Sequence, residues 1–283
     1  MKSMFLPKIR LICPLGCAVW CNGRSLVGHI RLGVLPRSKL WREVVALIEG
    51  GASLETVAEA SAKAAKSALS KATSDPQFLY AATLLVELPL LARSPKFLEG
   101  LRDHTIQDAS SVPALLAGIT DAIDRRAYDF GGRSDLGEMA QMALVESLSA
   151  EFDKSLPSLF EPTSADVRRA LGQLASGNRF AGLAREFFAR LVYKSLDYYL
   201  SRELANHVGT GKRFASDADR VAFDRALSQH AFEASRIVLE YAGGWYGKAV
   251  WQGDGLSEEK IKRFAGYAFS KLSSELGRRS DAA

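Results

Sequence analysis

Between residues 178 and 208 the chain reads NRFAGLAREFFARLVYKSLDYYLSRELANHV, in which Phe180, Leu183, Phe187, Leu191 and Leu196 recur at spacings of three to five. That period sets them on one face of an α-helix, so the stretch predicts a long helix with that face in a core. Comparable periods run through most of the chain. PRSKLWREVVALIEGG offers a start at Ser38 and a stop at Gly50-Gly51. SLETVAEASAKAAKSALSKAT follows, with Ser53 as N-cap and an outer face of Ala and Lys. DPQFLYAATLLVELPLLAR is the most apolar segment, a central helix that Pro89 kinks or ends. These last two are expected to pack together as a buried hairpin.

PKFLEGLRDHT predicts a shorter helix with proline in its first turn, and SVPALLAGITDAIDRRAY another. DFGGRSD at 129–135 reads as a loop: Gly131-Gly132 ends one period, and Ser134 or Asp135 caps the next, SDLGEMAQMALVESLSAEFDKSL. A polar turn around Pro157 and Pro162 precedes TSADVRRALGQLAS, which Gly177 is expected to stop. SDADRVAFDRALSQHAFEASRIVLEYA predicts a helix opened by Ser216 and closed by Gly243-Gly244. WYGKAVWQGDG then reads as a compact aromatic loop, with Trp245 packed and Trp251 partly exposed. LSEEKIKRFAGYAFSKLSSELGRR is a last helix capped by Ser257, its basic end suited to the helix dipole.

Period-two alternation is nowhere sustained, so any sheet is small and falls within residues 5–35. The fold expected is mostly α: a multi-helix bundle with a short irregular or β-like N-terminal arm. Three regions follow: a basic arm over 1–36, a helical region of acidic balance over 37–158, and a helical region over 159–283 packed with the preceding one as a single unit. The soft boundary lies near 155–163.

Composition supports a globular chain: 283 residues, 47% hydrophobic, can bury a substantial core without disulfides or metal. The charge pattern says more than the net +5. Residues 1–42 carry eight basic side chains and no acidic one, residues 43–176 carry 12 basic and 19 acidic, and residues 177–283 carry 17 and 13. Such an arm suits nucleic acid, an anionic membrane surface, or the chain's own acidic segment. Cys13, Cys17 and Cys21 all lie in it. That distribution argues against a disulfide-stapled secreted fold and points to the cytoplasm. MKSMFLPKIRLICPLGCAVWC has the charged front of a signal peptide, yet Pro14 interrupts its apolar run. Leu11 to Cys21 is also far short of the roughly 20 residues of a membrane span. Attachment to a membrane surface through residues 1–24, with Phe5, Leu6, Ile9 and Trp20 entering the interface, stands as an alternative.

Three of the four histidines have an arginine five residues upstream: RELANH (Arg202, His207), RALSQH (Arg225, His230) and RSLVGH (Arg24, His29). A helical protein carrying Arg, four intervening residues and His resembles the HEPN ribonucleases. The resemblance implies metal-independent cleavage of RNA, in a toxin or defence effector, by Arg202 with His207 and by Arg225 with His230. A histidine moves the proton of the 2′-hydroxyl or leaving oxygen, and a guanidinium holds the phosphate charge. On a continuous helix five residues leave the two side chains about 140° apart, so they share a face only where the helix ends between them.

A second cluster mixes cations and aromatics: Lys194, Tyr198, Lys212 and Arg213, then Trp245, Tyr246, Lys248 and Trp251. Such residues stack bases and meet phosphates, anchor a protein partner, or fill a core. GTGKRF and GGWYGK lack the P-loop spacing. Cys13, Cys17, Cys21 and His29 lack the C-x2-C knuckle of a zinc site. No metal and no small-molecule cofactor is expected. Together these readings predict a helical binding protein, a subunit of a larger bacterial assembly that has protein partners and contacts nucleic acid, with the HEPN-like ribonuclease as the alternative.

Overall fold

The computed structural model describes residues 38–69, 74–156, 161–251 and 256–280, and the regular elements among them are helical, joined by one isolated bridge between Val208 and Phe214. The basic arm, its cysteines, His29 and the small sheet expected within residues 5–35 lie outside the described residues.

Helix starts follow local chemistry. α1 (Lys39–Glu49) begins where the Ser38 hydroxyl accepts from the Trp41 N–H, and it ends at Gly50, with Gly51 taking φ 70°. α2 (Leu54–Leu69) is capped by Ser53, which accepts from the Thr56 N–H at 3.2 Å. Asp75 caps α3 (Pro76–Arg93), and Ser111 caps α5 (Val112–Asp129). Pro95 stands just ahead of the short α4 (Phe97–Asp103) rather than in its first turn. After the 129–135 loop, where Gly131 and Gly132 take φ 98° and 127°, Ser134 caps α6 (Asp135–Ser155). Thr163 and Asp166 form a capping box on α7 (Ser164–Gln173), and Ser216 with Asp219 another on α9 (Asp217–Ala234).

α3 is the central element. It is buried nearly all round, Pro89 sits inside it without ending it, and it packs on α5, α6, α7 and α11 (Glu258–Ser280). The α2–α3 hairpin expected from the sequence is not formed: α2 packs chiefly on α1 and α11. One hydrophobic core runs from Trp41 to Leu276, and the contacts of α6 with α8 (Gly177–Leu204) and of α3 with α7 carry it across the 155–163 boundary. Among the described residues no helix is long and apolar enough to cross a membrane.

Two glycine readings are corrected. Gly177 opens α8 instead of stopping α7, which already ends at Gln173. Gly243-Gly244 does not stop a helix: α10 runs unbroken over Arg236–Trp251, so WYGKAVW is helical rather than a loop. The break comes earlier, at Ser235, where Arg185 reaches from α8 to donate to the Phe232 carbonyl (3.1 Å) and to the Ser235 hydroxyl (3.4 Å). Gly243 serves packing instead. A Cβ there would stand 2.9 Å from the Gly177 carbonyl oxygen, and this close crossing joins α8 to α10.

Candidate functional site

α8 gives way to a 3-10 turn, Ala205–His207, so the helix does end between Arg202 and His207. The chain then turns through Gly209 and Gly211, at φ 129° and 76°. His207 points back to the last turn of α8, its Nε2 lying 3.1 Å from Glu203 Oε1. Arg202 is exposed, its guanidinium 5.8 Å from the Tyr198 ring centre. In the second pair Arg225 is exposed on α9 while His230 is buried among the core residues.

The basic and aromatic cluster is spread over separate elements, and most of its polar groups are already engaged. Lys194 Nζ meets Glu146 at 2.7 Å, and the Tyr198 hydroxyl donates to Asp135 Oδ2 at 2.7 Å. Lys212 donates to the Asn206 carbonyl at 2.8 Å. Arg213 reaches back to α1, donating to the carbonyls of Ile48 (3.2 Å) and Ala52 (2.6 Å), while its guanidinium stacks over Phe214 and Phe223. Burial draws its pKa below the usual arginine value. Trp245 is half-buried, stacked on Phe264 with ring centres 4.2 Å apart. Tyr246 belongs to the core: fully buried, it stacks on Phe180 at 3.8 Å and donates to the Val86 carbonyl, which removes it from any binding surface. Lys248 is exposed, and Trp251 ends α10, its side chain outside the described set. Next to Lys194, between α8 and α9, Tyr193 donates to Asp224 at 2.9 Å, and burial together with the Asp224 charge pushes the Asp197 carboxyl up. Among the described residues no group of three or more His, Cys, Asp or Glu could hold a metal ion.

The fourth histidine, His104, sits in a polar network that joins α3 to the end of α4. Its Nε2 lies 3.0 Å from Glu87 Oε2 and its Nδ1 3.2 Å from the Tyr80 hydroxyl. With the proton on Nε2 facing the carboxylate, Nδ1 is left to accept from Tyr80. His104 is the C-cap of α4, closed by bonds from Thr105 N–H to the Arg102 carbonyl and from Ile106 N–H to the Leu101 carbonyl, both 2.8 Å. Thr105 takes φ 62°, a left-handed backbone that costs a β-branched residue about 1–3 kcal/mol; among the described residues it alone does so without being glycine. The strain thus falls directly beside the histidine. Burial raises the Tyr80 pKa, keeping the phenol protonated and able to donate.

Sequence reasoning missed this network because His104 has Glu99, not an arginine, five residues upstream and its partners lie on another helix. A signal was present: Tyr80, Thr83 and Glu87 interrupt the most apolar helix at i, i+3 and i+7, one face. Comparison with protein-family models, curated proteins and solved structures finds no match to this chain.

Proposed function

We propose that the chain is a helical binding protein that contacts nucleic acid through its basic N-terminal segment and joins a larger assembly through its helical body. One observation carries the reading. Residues 1–42 hold eight cations and no acid, whereas the rest of the chain holds 29 basic residues against 32 acidic ones. The positive surplus therefore rests entirely on that segment. The helical body supports the same division, since Lys194, Lys212 and Arg213 spend their charge on internal partners.

The test is fluorescence anisotropy of labelled single-stranded RNA and duplex DNA with the full chain across a salt series. Each phosphate contact adds about 0.7 to the salt slope on a single strand. Full engagement of the eight cations gives a slope of about −5.6, and replacing Lys2, Lys8, Arg10, Arg24 and Arg31 by glutamine reduces its magnitude by about 3.5. No binding at low salt, or an unchanged slope in the neutralised variant, removes the proposal. Shortening of the RNA during the titration, lost in His207→Ala, moves the assignment to the HEPN-like reading.

A further inference from the structure

Beside the Tyr80–His104–Glu87 network lies a cavity of about 420 Å³, walled by α3, the C-terminal end of α5 and the start of α11. That size falls within the range of small-molecule sites, roughly 300–1,000 Å³. Its walls carry opposite chemistries. From α3 come Tyr80, Thr83 and Glu87. The Thr83 hydroxyl donates to the Leu79 carbonyl at 2.9 Å, and the Tyr80 hydroxyl gives its single proton to His104. Each hydroxyl therefore offers the cavity only lone pairs, as does the second oxygen of Glu87. The α3 wall accepts hydrogen bonds and donates none.

The facing walls supply cations, Arg126 from α5 and Lys262 from α11. Arg126 lies over the rings of Tyr80 and Phe130, 5.6 and 4.7 Å from their centres. Among the described residues, no carboxylate stands within ion-pair distance of Arg126 or Lys262. Glu258, in the first turn of α11, is the remaining charge at the cavity, and Leu79, Phe130, Leu256 and Ile261 give it apolar surface. An anion alone leaves the acceptor wall without donors, and a cation alone leaves Arg126 and Lys262 without a counter-ion. Arg126 and Lys262 are exposed, so water also serves them; a ligand carrying both charges is the one that engages both walls at once.

We propose that this cavity binds a small zwitterion of the amino-acid or dipeptide class. Its ammonium lies against Glu87, Tyr80 and Thr83, its carboxylate against Arg126 and Lys262, and its apolar side chain against Leu79, Phe130 and Ile261. The His104 bonds hold the Tyr80 proton away from the cavity, so His104 positions the acceptor wall. The proposal uses no residue of the basic segment and stands or falls independently of nucleic-acid binding.

The test is calorimetric titration of the full chain with the twenty L-amino acids and glycyl-phenylalanine, followed by the N-acetylated and C-amidated forms of the tightest binder. Saturable binding of at least one zwitterion is expected, with at least a tenfold loss on blocking either end. Arg126→Gln, at an exposed position, weakens the free carboxylate form about tenfold and removes the penalty for amidation. Glu87→Gln does the same for acetylation. Because Glu87→Gln also loses the His104 pair, Lys262→Gln serves as a second variant, expected to weaken binding several-fold with the far-UV spectrum unchanged. No saturable binding across the panel overturns the assignment, as does binding indifferent to both caps or to Arg126→Gln.

Discussion

Alanine substitutions at the adjacent glycines 243 and 244 have opposite consequences in this fold. Both residues lie within α10, where replacing glycine by alanine favours the helix by about 0.5–1 kcal/mol because glycine loses more backbone freedom on folding. At Gly244 nothing lies within 4 Å of the added methyl, so the full gain is expected. At Gly243 the methyl would stand 2.9 Å from the Gly177 carbonyl oxygen and 3.2 Å from its carbon, both backbone atoms of the first turn of α8. Relief requires α8 and α10 to separate, an overpacking cost of about 1–3 kcal/mol. The clash outweighs the propensity gain, leaving Gly243→Ala less stable by roughly 1–2 kcal/mol. At about 2–4 °C per kcal/mol for a chain of this size, thermal unfolding followed by circular dichroism separates the two variants by several degrees around the parent. Equal stabilisation by both alanines would refute the close crossing.

Three further outcomes are expected. Tyr246→Phe keeps the stack on Phe180 but drops the bond to the Val86 carbonyl, costing about 1 kcal/mol in urea denaturation; Tyr246→Ala costs about 3–5 kcal/mol. Arg213→Met removes charge-assisted bonds to the end of α1 and costs about 1.5–3 kcal/mol, and Arg213→Lys, which lacks the fork, recovers less than half of that. Burial raises the pKa values of Tyr193, Tyr199, Tyr241 and Tyr246, Tyr193 being held up further by Asp224. The native state therefore keeps protons that the unfolded phenols release near pH 10, so this contribution to stability is complete below that pH and falls as pH rises above it. Tyrosinate absorbance rising together with loss of helix signal checks this; full ionisation with the helix signal intact contradicts it.

Helix starts were legible because capping is local. Ser38, Ser53, Ser111, Ser134, Thr163, Ser216 and Ser257 each accept from an N–H three residues on, a bond that needs no distant partner. Helix stops by glycine were legible only where the backbone turns left-handed, as at Gly51 and Gly131. At Gly177 and Gly243 the same residue type serves a close helix crossing, and local conformational cost carries no trace of a partner 66 positions away. The α2–α3 hairpin failed for the same reason: each helix has an apolar face, but the choice of partner is made by the whole core. The Arg-x4-His spacing was visible because it is short, and in the fold His207 turns to Glu203 while His230 enters the core. The network around His104 was hidden because it spans two helices.

Cations divide in the same way. A count of lysines and arginines measures the charge a chain carries, whereas the fold decides which of them a ligand can reach. Lys194 and Arg213 had a suggestive setting in sequence and are committed to Glu146 and the end of α1. Arg126 and Lys262 had none, and they line a cavity. The two binding proposals therefore rest on physically different charges, and ionic strength distinguishes them. The eight cations of residues 1–42 would displace counterions condensed on a nucleic acid, so their affinity collapses as salt rises. A zwitterion held between helix walls brings its own balance of charge and releases no such atmosphere, so its affinity changes by less than about threefold over the same range.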